Sequence, residues 1–191
     1  AAAGVAIGNL TTQLVQMGIQ AAKSIPQLIE HSIDLADEMG KAAQKAMVSV
    51  EAFSALSYAA KLSDVGVEGL TTGLGRLNRT LADAQGGNEK VAKAFSDLGL
   101  NVMNFSGTTD EAFSQIAEGF KNMADGPAKA DAAFKILGRG WQQLAPLMNT
   151  GAEGIARATE EAEKLGITIS GETFRASEEF NDNLKRLQES V

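Results

Sequence analysis

Helical periodicity that never runs far before a glycine or proline stops it is the feature that most limits this chain. Apolar residues at Leu28, Ile29, Leu35, Ala36, Met39, Ala43 and Met47 recur on one helix face. Pro26, Gly66, Gly86-Gly87, Gly99, Gly107, Gly126-Pro127, Gly138, Gly151 and Gly166 then cut the pattern into helices of roughly 10 to 20 residues. Only Leu100-Asn101-Val102 and Ile167-Thr168-Ile169 read as extended, and neither is long enough to found a sheet. The expectation is an all-α fold: an irregular bundle of about 7–9 short-to-medium helices with Gly/Pro joints and no substantial sheet.

The punctuation carries chemistry of its own. Gly126-Pro127 reads as a helix start, because proline in the first turn gives up only an amide that has no partner anyway. Gly99 and Gly166 follow Leu98 and Leu165, where a left-handed cap would close a helix. The pattern Ser/Thr-x-Glu-x-Phe occurs three times, with Ser49, Thr109 and Ser170 as predicted helix caps. Its glutamates, Glu51, Glu111 and Glu172, would sit at the positive end of the helix dipole. Phe53 and Phe174 could pack on Val48 and Ile169, the residues before their caps. Capping physics and internal duplication both account for the recurrence.

Alanine fills 31 of the 191 positions, so a hydrophobic fraction of 44% should produce a thinner core than the figure suggests. Cysteine is absent, which removes disulfides and cysteine-based zinc sites. A net charge of −7 and the lack of any basic run with interleaved aromatics argue against direct nucleic-acid binding.

Three regions follow from these patterns. Residues 1–26 read as an Ala/Gly-rich helical lead whose first 22 positions carry no charge. Asn9, Thr11, Thr12, Gln13, Gln16 and Gln20 make it too polar for a simple membrane span, and no basic region marks it as a signal peptide. The spacing of Gly4 and Gly8 fits both a membrane helix-packing motif and a buried Ala/Gly helix. This is the one segment suited to membrane contact. Residues 27–170 form the central helical region. Residues 171–191 read as an amphipathic helix with a seam of Phe180, Leu184, Leu187 and Val191. The chain opens on Ala1 and closes inside that helical pattern, so a fragment of a longer protein is expected.

No constellation for catalysis, cofactor binding or metal binding is legible. His31 is the only imidazole, and Glu160-Glu161 and Glu178-Glu179 are sequence neighbours whose side chains diverge by about 100° on a helix. The glycine-rich GLTTGLGRLNR, residues 69–79, lacks the Lys-Ser/Thr ending of a phosphate-binding loop and follows no strand. In KILGRGWQQLAPLM, residues 135–148, Gly138 should end one helix and Gly140 should permit a tight reversal. Trp141, Leu144, Leu147 and Met148 should then form the apolar stripe of the next helix. Arg139 is expected to cap carbonyls or pair with an acidic neighbour.

From about residue 35 to 188 the order of motifs resembles the tape measure proteins of long-tailed bacteriophages and prophages. LADEMGKAAQKAMVSVEAFSALSYAAKLSDVGVEGL, residues 35–70, is similar to the family's D-x-M-x-K-x-A-x-x-x-G-v-S-x-E-x-L-x-x-L-x-Y-A-A-x-x-s-G. RLNRTLADAQGGNEKVAKAFSDLGLNV, residues 76–102, looks like the segment that follows it. The stretch 110–151 resembles K-x-x-x-A-x-x-L-F-G-R-S-G-x-x-L-x-P-L-L-x-x-G, and 160–187 resembles the closing E-A-x-x-L-G-…-A-x-x-F-N-D-x-L-x-x-L. The most specific part is Gly138, Arg139, Gly140, Trp141, Leu144, Pro146 and Leu147. Met47 stands where the family has glycine, Leu137 replaces a phenylalanine, and Gly140-Trp141 replaces Ser-Gly.

The resemblance implies a structural, non-enzymatic role: a segment that occupies the tail tube lumen, sets tail length during tube polymerisation and leaves ahead of the DNA. It implies tail tube proteins, tail tip proteins and tail assembly chaperones as partners, with self-association. It places the chain in the virion, and in the host cytoplasm during assembly. No residue here matches the muralytic domain that some members carry. A ruler wants one long helix, at about 1.5 Å per residue, and this chain is broken too often for that. The expectation is a folded segment of such a protein. The competing reading is a membrane-active helical protein, a pore former or secreted effector, acting through residues 1–25.

Overall fold

A computed structural model describes residues 32–189. They form an all-α irregular bundle without a strand among them. The helices are α1 (32–46), α2 (Val50–Leu62), α3 (Val67–Gln85), α4 (Glu89–Asp97), α5 (Thr109–Asn122), α6 (Pro127–Leu137), α7 (Trp141–Met148), α8 (Gly151–Lys164) and α9 (Gly171–Glu189). Short 3-10 turns at Val102–Asn104 and Gly138–Gly140 complete the described chain. The lead 1–26 lies outside the described residues.

The joints use one device repeatedly. Val48, Val65, Asn88, Leu100 and Ile167 each send an amide back to the carbonyl five residues earlier, at 2.8–3.1 Å. The residue before each, Met47, Asp64, Gly87, Gly99 or Gly166, holds a positive φ. This is the left-handed cap that satisfies the orphan carbonyls of a helix end. The expected caps at Gly99 and Gly166 are therefore present, and Met47 and Asp64 make the same turn without being glycine. Leu100-Asn101-Val102 and Ile167-Thr168-Ile169 belong to the connections that follow two of these caps and form no strand.

Helix starts follow their cap residues. Ser49 Oγ accepts the Ala52 amide at 3.1 Å, and Ser170 Oγ accepts the Thr173 amide at 3.1 Å, as expected. The third cap is Thr108 rather than Thr109. Thr108 N–H donates to Glu111 Oε2 at 3.0 Å, the return bond of a capping box, which requires the acid three residues after the cap. Thr109 is instead the first helical residue and is buried. Pro127 opens α6 behind Gly126.

Helix α3 is the spine and touches α2, α4, α5, α6 and α7. Its buried stripe, Leu70, Leu74, Leu77, Leu81 and Ala84, recurs at three- and four-residue spacing and faces the core. Among the described residues, alanine supplies 14 of the 35 buried apolar side chains, so the helices gain close approach at the expense of apolar area. Helices α2 and α8 run antiparallel. Ser49 and Glu51 line a groove with Thr159 and Glu163, whereas Leu62 and Ser63 line one with Thr150 and Gly154. Helices α1 and α9 also run antiparallel: Gly40 meets Phe174, and Asp37 lies across from Glu178 and Asp182.

Candidate functional site

The most specific motif, Gly138 to Leu147, sits where α6 turns into α7. Helix α6 ends at Leu137, and Gly138 takes φ 66°, ψ −155°, a region essentially restricted to glycine. One 3-10 turn later Trp141 starts α7, with its amide bonded to the Gly138 carbonyl. Gly140 keeps an ordinary right-handed conformation, and a Cβ there would meet nothing within 4 Å. The reversal is therefore made by Gly138 and not, as the sequence suggested, by Gly140.

Three contacts fix this corner. Leu144 and Leu147 are 0% and 1% exposed, and a Cβ on Gly73 of α3 would overlap the Leu144 side chain. Gly69, one turn earlier, faces Gln143. The glycine-rich run 69–79 is thus a packing face inside α3. The carbonyl of Ile136, orphaned by the helix end, lies 3.0 Å from the buried Thr80 hydroxyl, which also faces the Arg76 and Leu77 carbonyls.

Trp141 is half-buried, with its ring centroid 6.1 Å from that of Phe120 at an interplanar tilt of 59°. Lys129 of α6 places Nζ 4.2 Å from the Phe120 centroid and 2.9 Å from Asp125 Oδ1. Lys129 is only 6% exposed, so its stem packs in the core while its head meets the aromatic face and the exposed carboxylate. Sequence reasoning missed Phe120, Lys129, Gly73 and Thr80. The i,i+4 spacing of Asp125 and Lys129 was the only local signal.

Arg139 behaves otherwise than expected. It is exposed and makes no hydrogen bond or ion pair among the described residues, capping no carbonyl and meeting no acid. Pro146 is also exposed, within α7, where it forgoes one helical amide bond on the solvent side. The motif therefore divides by role. Gly138, Trp141, Leu144 and Leu147 build the joint, and Arg139 and Pro146 stand outside it.

Two other helix starts receive carboxylates from distant helices. Gly171 N–H of α9 donates to Glu51 Oε1 of α2 at 2.6 Å, and Ala152 N–H of α8 donates to Glu118 Oε2 of α5 at 3.0 Å. The Gly171 amide leads the causes that hold the Glu51 carboxyl below its ordinary value. For Glu118 the Asn122 amide is the larger cause and Ala152 the second. These bonds act as helix caps supplied in trans.

No chemical site emerges elsewhere among the described residues. No group of three or more His, Cys, Asp or Glu could hold a metal ion there. Glu160 pairs with Lys164 at 3.4 Å, while its neighbour Glu161 faces Tyr58, so the adjacent acids diverge. A groove of about 620 Å³ carries Glu51, Asp110 and Glu163, but Glu51 is engaged by Gly171. No described helix is long and apolar enough to cross a membrane. His31 and the membrane-suited segment 1–26 lie outside the described residues, as do Val191 and the Leu184 and Leu187 side chains of the predicted seam. Phe180 of that seam is 46% exposed. Neither a protein-family model, nor a curated protein, nor a solved structure matches the chain.

Proposed function

We propose that this chain is a folded, non-enzymatic segment of a phage tail tape measure protein, acting by helix packing and assembly with tail proteins. The observation that carries the proposal is where glycine falls in the family patterns. Aligned on the stretches 35–70, 110–151 and 160–187, the pattern glycines fall on Met47, Asp64, Gly138, Trp141, Gly151 and Gly166. All of these except Trp141 hold a positive φ. Met47 and Asp64 are the only non-glycine residues with positive φ among the described residues. A family whose backbone turns left at these points would favour glycine there, and this chain turns left even where it has lost the glycine.

The unpartnered Arg139 also fits. An exposed arginine without a hydrogen bond or ion pair among the described residues, held at the corner between α6 and α7, suits contact with another protein. The antiparallel α1 and α9 set the first and last described helices side by side, which suits a folded segment in place of a continuous rod.

The test is in-frame deletion of residues 32–189 from the phage gene, followed by measurement of assembled tails by electron microscopy. A rod of these 158 residues would account for roughly 240 Å of tail. The folded-segment reading predicts shorter tails with a change well below that value. Unchanged tail length would refute the tape measure reading, and loss of the full rod length would refute the folded version.

A further inference from the structure

We infer that α9 with the two residues before it is a releasable arm, hinged at Gly166–Thr168 and latched to α2 by Glu51 and Ser54. This inference stands apart from the phage reading and rests on how α9 is attached.

Helix α8 finishes without help from α9. Gly166, φ 67°, closes it, and the Ile167 amide returns to the Ala162 carbonyl at 3.1 Å. Among the described residues, the continuous apolar core runs from Ala43 to Ala158 and includes no side chain of α9. Phe174 is only 5% exposed, yet it lies outside that core, against the notch left by Gly40 of α1.

The fastening to α2 is polar and local. Ile169 N–H donates to Ser54 Oγ at 2.9 Å and Gly171 N–H to Glu51 Oε1 at 2.6 Å, both across more than a hundred residues of chain. The other buried hydroxyls nearby add no bond between helices. Ser177 of α9 donates to the Phe174 carbonyl of its own helix at 2.7 Å, and Ser57, one turn after Ser54, has a buried Oγ with no partner. Leu165, just before the hinge, and Ile167 within it are already 59% and 48% exposed, so movement of the hinge uncovers little apolar surface there. Among the described residues, swinging α9 out breaks the two hydrogen bonds to α2, separates Lys41 of α1 from Glu178 and Asp182, and withdraws Phe174 from the Gly40 notch, while the core from Ala43 to Ala158 stays closed.

Native-state hydrogen exchange on the whole chain tests the arm. The expected result is an opening that exchanges α9 amides while α3 and α5 remain protected. Glu51→Gln with Ser54→Ala should speed exchange in α9 by about tenfold or more and leave α3 unchanged. Gly40→Ala, which fills the seat of Phe174 from the α1 side, should do the same if the first variant folds poorly. Exchange of α9 together with α3 and α5 in one unit, or equal acceleration of all three by these variants, would overturn the inference. So would α9 protection that neither variant alters.

Discussion

Leu144 of α7 occupies the space that a side chain on Gly73 of α3 would need. Leu144 is fully buried, so the two residues set how closely α7 can lie on the spine helix. Gly73→Ala should destabilise the protein by about 1–3 kcal/mol through overpacking. Leu144→Ala should cost about 2–5 kcal/mol by leaving a cavity. In the double variant the new methyl enters that cavity, so the two effects should fall short of their sum. A urea-unfolding double-mutant cycle measures the shortfall, and strict additivity would mean that the contact does not govern the spacing.

Trp141, Phe120 and Lys129 tie α7, α5 and α6 together. Trp141→Ala should lower stability by roughly 2–4 kcal/mol, less than full burial of the indole would give. Lys129→Met keeps most of the packed stem and removes the charge over the ring, so its cost should be nearer about 1 kcal/mol. Equilibrium unfolding of both variants checks the order, and a larger loss for Lys129→Met would reverse the assignment of stem and head.

Met47 and Asp64 hold φ values of 58° and 56° at helix ends. An L-residue in that region is disfavoured by about 1–2 kcal/mol, partly offset by the entropy that glycine loses on folding. Met47→Gly and Asp64→Gly should each raise stability, by about 0.5–1 kcal/mol net. Met47 is 68% exposed, so little packing is forfeited there. Thermal unfolding reports the change. A loss of stability in both would remove the main support for the family reading.

The carboxyls of Glu51 and Glu118 are both held below their ordinary value of 4.5. A carboxylate favoured by the fold contributes stability that is fully present above 4.5 and is lost as pH falls through its lower, folded value. Arg175 of α9 favours the charged form of Glu51, and Asp110 and Glu163 line the same groove. Lys121 favours the charged form of Glu118. Acid titration of the urea midpoint should therefore fall less steeply below pH 4.5 in Glu51→Gln and Glu118→Gln than in the parent. Identical slopes would mean that these amides do not hold the charged form.

What could be read from sequence was local, and what could not was long-range. Gly126-Pro127, Ser49 and Ser170 announce helix starts because the groups that satisfy one another lie within four residues. Thr108 and Thr109 are adjacent hydroxyls, and only the spacing to Glu111 separates cap from first turn. Lys129 was illegible as a core residue, since lysine is rarely buried and its aromatic partner lies on another helix. Sequence alone assigns Glu51 to the first turn of its own helix, but its acceptor oxygen meets an amide 120 residues away. The role of Arg139 was misjudged because a cationic side chain after a helix end ordinarily finds a carbonyl.

Gly138 and Gly140 stand two residues apart in one motif and differ in backbone conformation, φ 66° against φ −71°. Alanine fits sterically at both: the nearest atoms to a Cβ on Gly138 are 3.8 and 4.0 Å away, and none lies within 4 Å at Gly140. Comparing Gly138→Ala with Gly140→Ala by urea unfolding therefore isolates the turn itself. A packed corner made by Gly138 predicts a loss of about 1–3 kcal/mol for the first and a neutral or slightly stabilising change for the second. Equal effects at the two positions, or a greater loss at Gly140, would contradict it.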